Sequence, residues 1–306
     1  MDGFLVIDKP AGVTSHDVVN KVRAIVGQKK VGHTGTLDPF AVGVLPMALG
    51  EATKAIPFLD EAVKEYRAVM RLGEATDTQD RTGMVSRKAD WSHITPEILL
   101  EATSRFTGRI SQIPPMFSAL KRDGVPLYKL ARRGLEVERD DREIEIFSLS
   151  VEKISLPDVA FTVRCSRGTY VRTLAHDIGE RLGCGAHLLE LRRTASGPFL
   201  CRDMLSIDAL AGAARLGKLC GLLVSPYAAL SHLKDLRLTD LGASRIANGI
   251  APSIVDIQNA LSYIPLAGER FRLSREGKLL AVAEQVSGQW RDSGKDLRIL
   301  RVFKGI

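Results

Sequence analysis

The stretch VGHTGTLDPFAVGVLP, Val31 to Pro46, holds one carboxylate, Asp38, and one imidazole, His33, in a Gly- and Thr-rich loop that runs into an apolar segment. Asp before Pro starts turns, and Asp and Thr side chains satisfy loop amides, so backbone shaping alone would account for Asp38. The flanking segments decide what more it does. Upstream, FLVIDKPAGVTSHDVVNKVRAIVG (Phe4 to Gly27) reads as strand, turn and helix. Lys9, Pro10 and Gly12 supply the turn, and Thr14 or Ser15 caps the helix. Downstream, YRAVMRLG from Tyr66 alternates and stops at Gly73, as a strand does.

Further along, TPEILLEATSRFTG carries Thr95 as N-cap, Pro96 at the first helical position and Gly108 as its exit. IEIFSLSVEKISL and VAFTVRCSRGTYVRTLAHDIGERLG predict two strands and then a helix from about Tyr170 to Gly183. Strands and helices mix without a βαβ rhythm. The fold class expected is therefore α+β, with a mixed, largely antiparallel central sheet flanked by helices. Near SPYAALSHLKDLRLT the texture changes to short segments broken by Gly and Pro, such as NGIAPS and PLAGERFRL. The tail from Leu236 to Ile306 carries 11 Lys or Arg against 7 Asp or Glu. It reads as a separate small β domain, giving a catalytic domain over 1–232 and a second domain over 233–306.

The 306 residues carry 43 Lys plus Arg against 36 Asp plus Glu, a net charge of +7, with a pI near 9.3 and a mean hydropathy of +0.01. That excess suits a polyanionic partner, and equally a basic enzyme without one. The apolar run in MDGFLVIDKP is too short for a signal peptide. LCGLLVSPYAAL is interrupted by Pro226 and cannot cross a bilayer, which takes about 20 apolar residues. A cytoplasmic protein is expected. Cys165, Cys184, Cys201 and Cys220 form no C-x-x-C pair and read as buried free thiols. There is no G-x-x-x-x-G-K-[ST] loop, no H-E-x-x-H and no G-x-S-x-G. GCGAHL from Gly183 lacks the third Gly of a dinucleotide fingerprint, and His176-Asp177 has no second His at ligand spacing. The expectation is chemistry without metal or cofactor.

Several other segments combine polar and turn residues in ways a packed core does not require. They are DKPAG at Asp8, KEYRAVMRLGEATDTQDRTG (Lys64 to Gly83), QIPPMFSALKRDGVPLYKLARRG (Gln112 to Gly134), CSRGTYVRTLAHDIGE (Cys165 to Glu180) and GAHLLELRRTASGPF (Gly185 to Phe199). With GHTGTLDPFAVGVLP, and in this order from Phe4 to Phe199, they resemble the bacterial tRNA pseudouridine synthases of the TruB type. LTDLGASRIANG and the closing LRILRVFKG are similar, more weakly, to the small RNA-binding PUA domain that ends many such enzymes. The resemblance implies isomerisation of the uridine at position 55 in the T-loop of tRNA, without guide RNA or cofactor. It also implies the tRNA T-stem-loop as partner, no obligatory protein partner and a monomer.

It implies roles as well. Asp38 becomes the nucleophile. Making pseudouridine breaks the N1–C1′ bond, turns the base and joins C5 to C1′, with no redox step and no net water. A carboxylate can attack C1′ or C6, or stabilise a glycal pathway. It must be ionised, which burial opposes and which the Thr34 and Thr36 hydroxyls, loop amides and a cation favour. The resemblance makes Arg172 that cation. The base must be extruded. Tyr66 is then the stacking residue, with a part in removing the C5 proton, and His33 inserts where the base was. Tyr170 and Leu191 line the pocket; without the motif Leu191 reads as helix core. Lys9, of the K-P turn, supports the site loop and joins the substrate-binding set. Asp80 lies near the base's polar edge or simply pairs with Arg81.

Phosphate contacts fall to Lys29 and Lys30, Lys121 and Arg122, Arg132 and Arg133, and Arg192 and Arg193. Val42 and Phe117 depart from the family's usual Thr and Tyr, and neither touches the reacting carboxylate. Two rivals remain in view. A guide-RNA-dependent relative is disfavoured by the bacterial-type motifs and the compact chain. A non-catalytic RNA binder is disfavoured by the intact Asp38, Tyr66 and Arg172.

Overall fold

Strand alternation sorts most of the strand residues into one sheet, whose end carries the Asp38 loop. The computed structural model describes residues 1–60, 63–259, 263–286 and 296–304. β1 (Gly3–Lys9) leads through the Pro10–Gly12 turn into α1 (Ser15–Val26). Thr14 caps α1 reciprocally with Asp17, and Gly27 closes it in the left-handed region at φ +64°. β2 (Val31–His33) and β3 (Val42–Leu49) flank the loop, and β4 (Val63–Leu72) follows. β5 (Glu74–Thr76) and β6 (Val85–Lys88) form a hairpin. α2 (Pro96–Ser104) starts at the expected cap but stops short of Gly108. There the Arg105 and Phe106 amides bond three residues back and tighten the last turn, leaving Gly108 to open β7 (Gly108–Gln112).

A second small hairpin, β8 (Lys121–Arg122) with β9 (Val125–Pro126), precedes α3 (Leu127–Ala131). Then come β10 (Arg142–Ser155), β11 (Asp158–Ser166), α4 (Val171–Arg181), β12 (Ala186–Ser196), β13 (Phe199–Leu200), α5 (Ile207–Arg215) and α6 (Pro226–Ala229). The main sheet has nine strands in the order β1-β3-β12-β4-β11-β10-β7, with β2 on β3 and β13 on β12. Its pairings are antiparallel except for β3 with β12. Leu191 thus lies on a central strand, not on the helix its spacing suggests. The chain turns through Gly183 and Gly185 after α4, and β12 inserts between β3 and β4.

Burial explains the apolar texture. On β1, Leu5 and Ile7 face α1 and α5, while Phe4 and Val6 pack with Phe199, Ala229 and Leu279. A strand covered on both sides reads as a continuous apolar run. On β4, Tyr66, Ala68, Met70 and Leu72 pack with Phe161, Val163, Leu174 and Ile178 beneath α2 and α4. Its outward Arg67 and Arg71 pair with Glu152 and Asp158.

The tail builds a four-stranded sheet from β14 (Lys234–Arg237), then, after α7 (Asp240–Ala247), β15 (Arg270–Arg275), β16 (Lys278–Gln285) and β17 (Leu297–Val302). Leu236, Phe271, Leu273 and Ala283 form its own core. Leu279, Val282 and Phe303 instead join Phe4 and Phe199 of the first unit, whose rings lie 5.3 Å apart. Of the expected LRILRVFKG segment, Gly305 lies outside the described residues. Cys165 and Cys184 are buried, but Cys201 and Cys220 are exposed on short surface turns, so the expectation of four buried thiols is half right. No helix among the described residues is long and apolar enough to cross a membrane.

The parallel β3–β12 contact sets Gly43 beside Arg193. Gly43 has φ +103°, and a methyl there would overlap the Arg193 carbonyl oxygen. Gly43→Ala is therefore expected to destabilise the protein by about 3 kcal/mol or more, from backbone strain plus a clash that cannot relax into a side chain. A thermal melt should show it as a drop of roughly 6 °C or more. An unchanged melting temperature would refute the close approach.

Candidate active site

Two buried cations hold the Asp38 loop. Lys9, at the end of β1, is fully buried and its Nζ donates to the carbonyls of Ala41 at 2.7 Å, Pro10 at 2.9 Å and Pro39 at 3.2 Å. Burial, only partly offset by the Asp38 charge, brings its ammonium down to about 8. Lys9 does not line the cleft. It braces the loop from beneath through those three carbonyls. Arg193, on β12, is equally buried. Its Nε donates to Val44 O at 2.7 Å, Nη2 to Gly35 O at 3.0 Å and Nη1 to Thr36 O at 3.3 Å. From the first turn of the chain, Ser15 Oγ pairs with both Leu37 N (2.9 Å) and Leu37 O (3.2 Å), and the Gly12 amide donates to Pro39 O at 2.8 Å.

These ties present Asp38 at the floor of a cleft of about 960 Å³. Arg172, from the first turn of α4, is buried beside it. Its Nε stands 2.8 Å from Asp38 Oδ2, and Nη2 donates to Oδ1 at 3.3 Å. The same guanidinium donates to Thr78 O at 2.8 Å and Phe117 O at 3.0 Å, and faces Asp80 Oδ2 at 3.6 Å. Asp80 is buried and fastened by Thr78 Oγ1 (2.9 Å), Thr82 N (2.9 Å) and Thr82 Oγ1 (2.6 Å). Its carboxylate turns to Arg172, and no pair with Arg81 occurs among the described residues. Although a third of the Asp38 side chain is open to the cleft, protein walls desolvate it and push its carboxyl above the usual range. Arg172 counters that shift and Asp80 adds to it. The Thr34 and Thr36 hydroxyls do not contribute as expected. Thr34 Oγ1 is buried without a partner, and neither hydroxyl bonds Asp38 among the described residues.

Register sets the walls. Tyr66 on β4 stands opposite Arg193 on β12, and Ala68 opposite Leu191, so Tyr66 and Leu191 share one face and line the cleft together. Burial pushes the Tyr66 phenol up to about 12, even with the Arg193 guanidinium beside it. The phenol is therefore neutral at physiological pH, with its ring on the cleft wall. Tyr170, half-buried at the start of α4, also lines the cleft. Burial raises its hydroxyl pKa, against the pull of Ser118. His33, at the end of β2, reaches the cleft rim. Burial, with Arg193, His16 and Lys64 nearby, lowers its pKa and keeps it uncharged.

The basic pairs divide. Lys29, Lys121, Arg122, Arg132 and Arg133 are exposed, and Arg132 lines the cleft. Lys30 pairs with Glu51 at 2.8 Å and Arg192 with Asp8 at 3.3 Å. Arg193 cannot meet a phosphate because it is buried. Alternation holds the signal for this: neighbours on a strand face opposite ways, so Arg192 and Arg193 cannot both point outward.

A mixed sheet with such a cleft at its end has the fold of a pseudouridine synthase, here with Asp38, Asp80 and the buried Arg172 at the cleft floor. A solved chain of a Cbf5-Nop10-Gar1 complex is similar in fold, with a TM-score of 0.77 and 29% identity, covering 98% of this chain and 84% of that one. The archaeal box H/ACA sRNP Nop10-Cbf5 complex gives 0.75 and 27%, covering 98% and 86%. A family model described as TruB family pseudouridylate synthase (N terminal domain) matches residues 23–171, and one described as tRNA pseudouridylate synthase B C-terminal domain matches 172–222. The tRNA pseudouridine synthase B of Geotalea uraniireducens is 62% identical over 304 residues, 99% of this chain and 98% of that protein. That of Geobacter sulfurreducens is 60% identical over 303 residues, 99% of this chain and all of the relative. This chain belongs to the TruB family of pseudouridylate synthases.

Proposed function

We propose that the protein isomerises the uridine at position 55 in the T-loop of tRNA to pseudouridine, acting on tRNA directly, without guide RNA or cofactor. The observation that carries this reading is the Asp38–Arg172 ion pair at the cleft floor, 2.8 Å between Nε and Oδ2. The extruded uridine stacks on Tyr66 with Leu191 and Tyr170 beside it, and His33 fills the vacated place in the RNA. Asp38, kept ionised by Arg172, attacks C1′ or C6, or stabilises a glycal. The N1–C1′ bond breaks, the base turns and C5 joins C1′. C5 gives up its proton and N1 gains one, so the reaction needs no other reactant. A Tyr66 phenol near 12 favours stacking over proton removal.

The tRNA substrate is supported by relatives named tRNA pseudouridine synthase B at 62% and 60% identity, and the net charge of +7 suits it. Those identities exceed the 29% to a Cbf5 chain, which supports guide-independence. The exposed Lys121, Arg132 and Arg133 are the phosphate contacts, and the tail sheet is a PUA-like second RNA-binding unit. A monomer working in the cytoplasm, without an obligatory protein partner, completes the reading.

The test uses an unmodified tRNA transcript carrying tritium at C5 of uridine, incubated with enzyme in EDTA. Tritium release traced to one T-loop uridine is expected. Binding without release would leave an RNA binder and overturn the proposal.

A further inference from the structure

Gln112, the last residue of β7, is buried to 2% exposure and forms a two-point pair with the main chain of Tyr170. Its Oε1 accepts from Tyr170 N at 2.8 Å and its Nε2 donates to Tyr170 O at 3.1 Å. Tyr170 precedes α4, and its own side chain makes no capping bond there. Its carbonyl also accepts the first helical bond, from Leu174 N at 3.0 Å. Arg172 lies in the turn that this residue starts. From Gln112 the chain runs on to Phe117, whose carbonyl holds Arg172 Nη2 at 3.0 Å, and to Ser118, which lines the cleft with Tyr170. One carboxamide thus ties the strand that leads into the Phe117 wall to the start of the helix that carries Arg172.

Resting on the function proposed above, we propose that Gln112 is a positioning residue. By pairing both main-chain groups of Tyr170, it sets where the Tyr170 ring and the Arg172 guanidinium stand over Asp38, and so governs the chemical step rather than RNA affinity. Misplacement of a catalytic group by about 1 Å can cost roughly a hundredfold in rate. A carboxamide also offers what few side chains do, a donor and an acceptor side by side.

Gln112→Glu tests this with one atom changed. A protonated carboxyl reproduces both bonds: its hydroxyl donates to Tyr170 O and its carbonyl accepts from Tyr170 N. The carboxylate keeps the second bond but sets a negative oxygen against Tyr170 O. Single-turnover tritium release by variant and wild type is compared from pH 5.5 to 8.5, with tRNA affinity measured alongside. The variant-to-wild-type rate ratio is expected to fall by about 10- to 100-fold as pH rises through the new carboxyl's pKa, with affinity within about twofold of wild type. Gln112→Asn, too short for both bonds, should lose about 10-fold in single-turnover rate at every pH. Amide exchange at Tyr170, faster in Gln112→Asn than in wild type, reads the pairing whether or not product forms.

A flat ratio, a loss confined to affinity, or unchanged Tyr170 exchange overturns the inference. Absence of release from wild type itself would instead overturn the proposed function. Circular dichroism at each pH separates either result from unfolding.

Discussion

Asp38→Asn is expected to reduce product formation by about 10⁴-fold or more while leaving tRNA affinity within a factor of a few. The amide is isosteric and still accepts from Arg172, but it is no nucleophile. Arg172 keeps its bonds to Thr78 O and Phe117 O and its approach to Asp80. Stability should hold or rise slightly. Burial pushes the Asp38 carboxyl above its usual range, so the ionised form is carried at a cost that Asn removes. The same direction governs the wild-type pH profile. Asp38 must be ionised to react, so the rate should fall with decreasing pH through that raised pKa, earlier than a solvent-exposed Asp would dictate. Tritium release, filter binding and a thermal melt on the same preparations check all three. Product above about 1% of wild type would remove Asp38 as the nucleophile.

Local chemistry made parts of this legible. Thr14 and Gly27 around α1, and Thr95 and Pro96 at α2, act within a few residues of themselves, and the structure uses them as caps. The mixed sheet followed from strands and helices that do not alternate. What periodicity could not supply was long-range. Asp38 and Arg172 are 134 residues apart and meet only because α4 packs over β12, so only the likeness to a family paired them in advance. LLELRRTA misled in two ways: apolar residues at helical spacing belong to a strand, and a basic pair splits between surface and core. Lys9 shows the same limit, because a Lys-Pro turn by itself does not say whether its ammonium meets water or carbonyls. Here the loop folds back over it, and three carbonyls replace water. The Gln112 pair left no trace at all, since nothing local to a glutamine shows which main chain it will meet.

Arg172→Met should lower the rate at pH 7 by about 10³-fold and the stability by about 3–5 kcal/mol, the range for breaking a buried ion pair from one side. The guanidinium joins the loops of Asp38, Asp80, Thr78 and Phe117, and its loss leaves two carboxylates facing each other in a desolvated floor. Burial and the Asp80 charge then both push the Asp38 pKa up, with only the weaker pull of Lys9 left to oppose them. In the variant, Asp38 should therefore be largely protonated at neutral pH, and residual activity should climb as pH rises through its higher pKa. Stability should run the other way. A group whose folded pKa lies above its unfolded value holds extra protons in the native state between the two, so unfolding becomes easier as pH rises across that window. Opposite slopes of activity and melting temperature between about pH 5 and 9 are the signature of a lost counter-ion. A merely misfolded variant would lose both together. Arg172→Lys restores the charge but not the fork, since an ammonium cannot reach both carboxylates and both carbonyls. It should return the pH dependence towards wild type while recovering little of the rate. Parallel pH profiles in Arg172→Met and wild type would show that the guanidinium acts by shape alone.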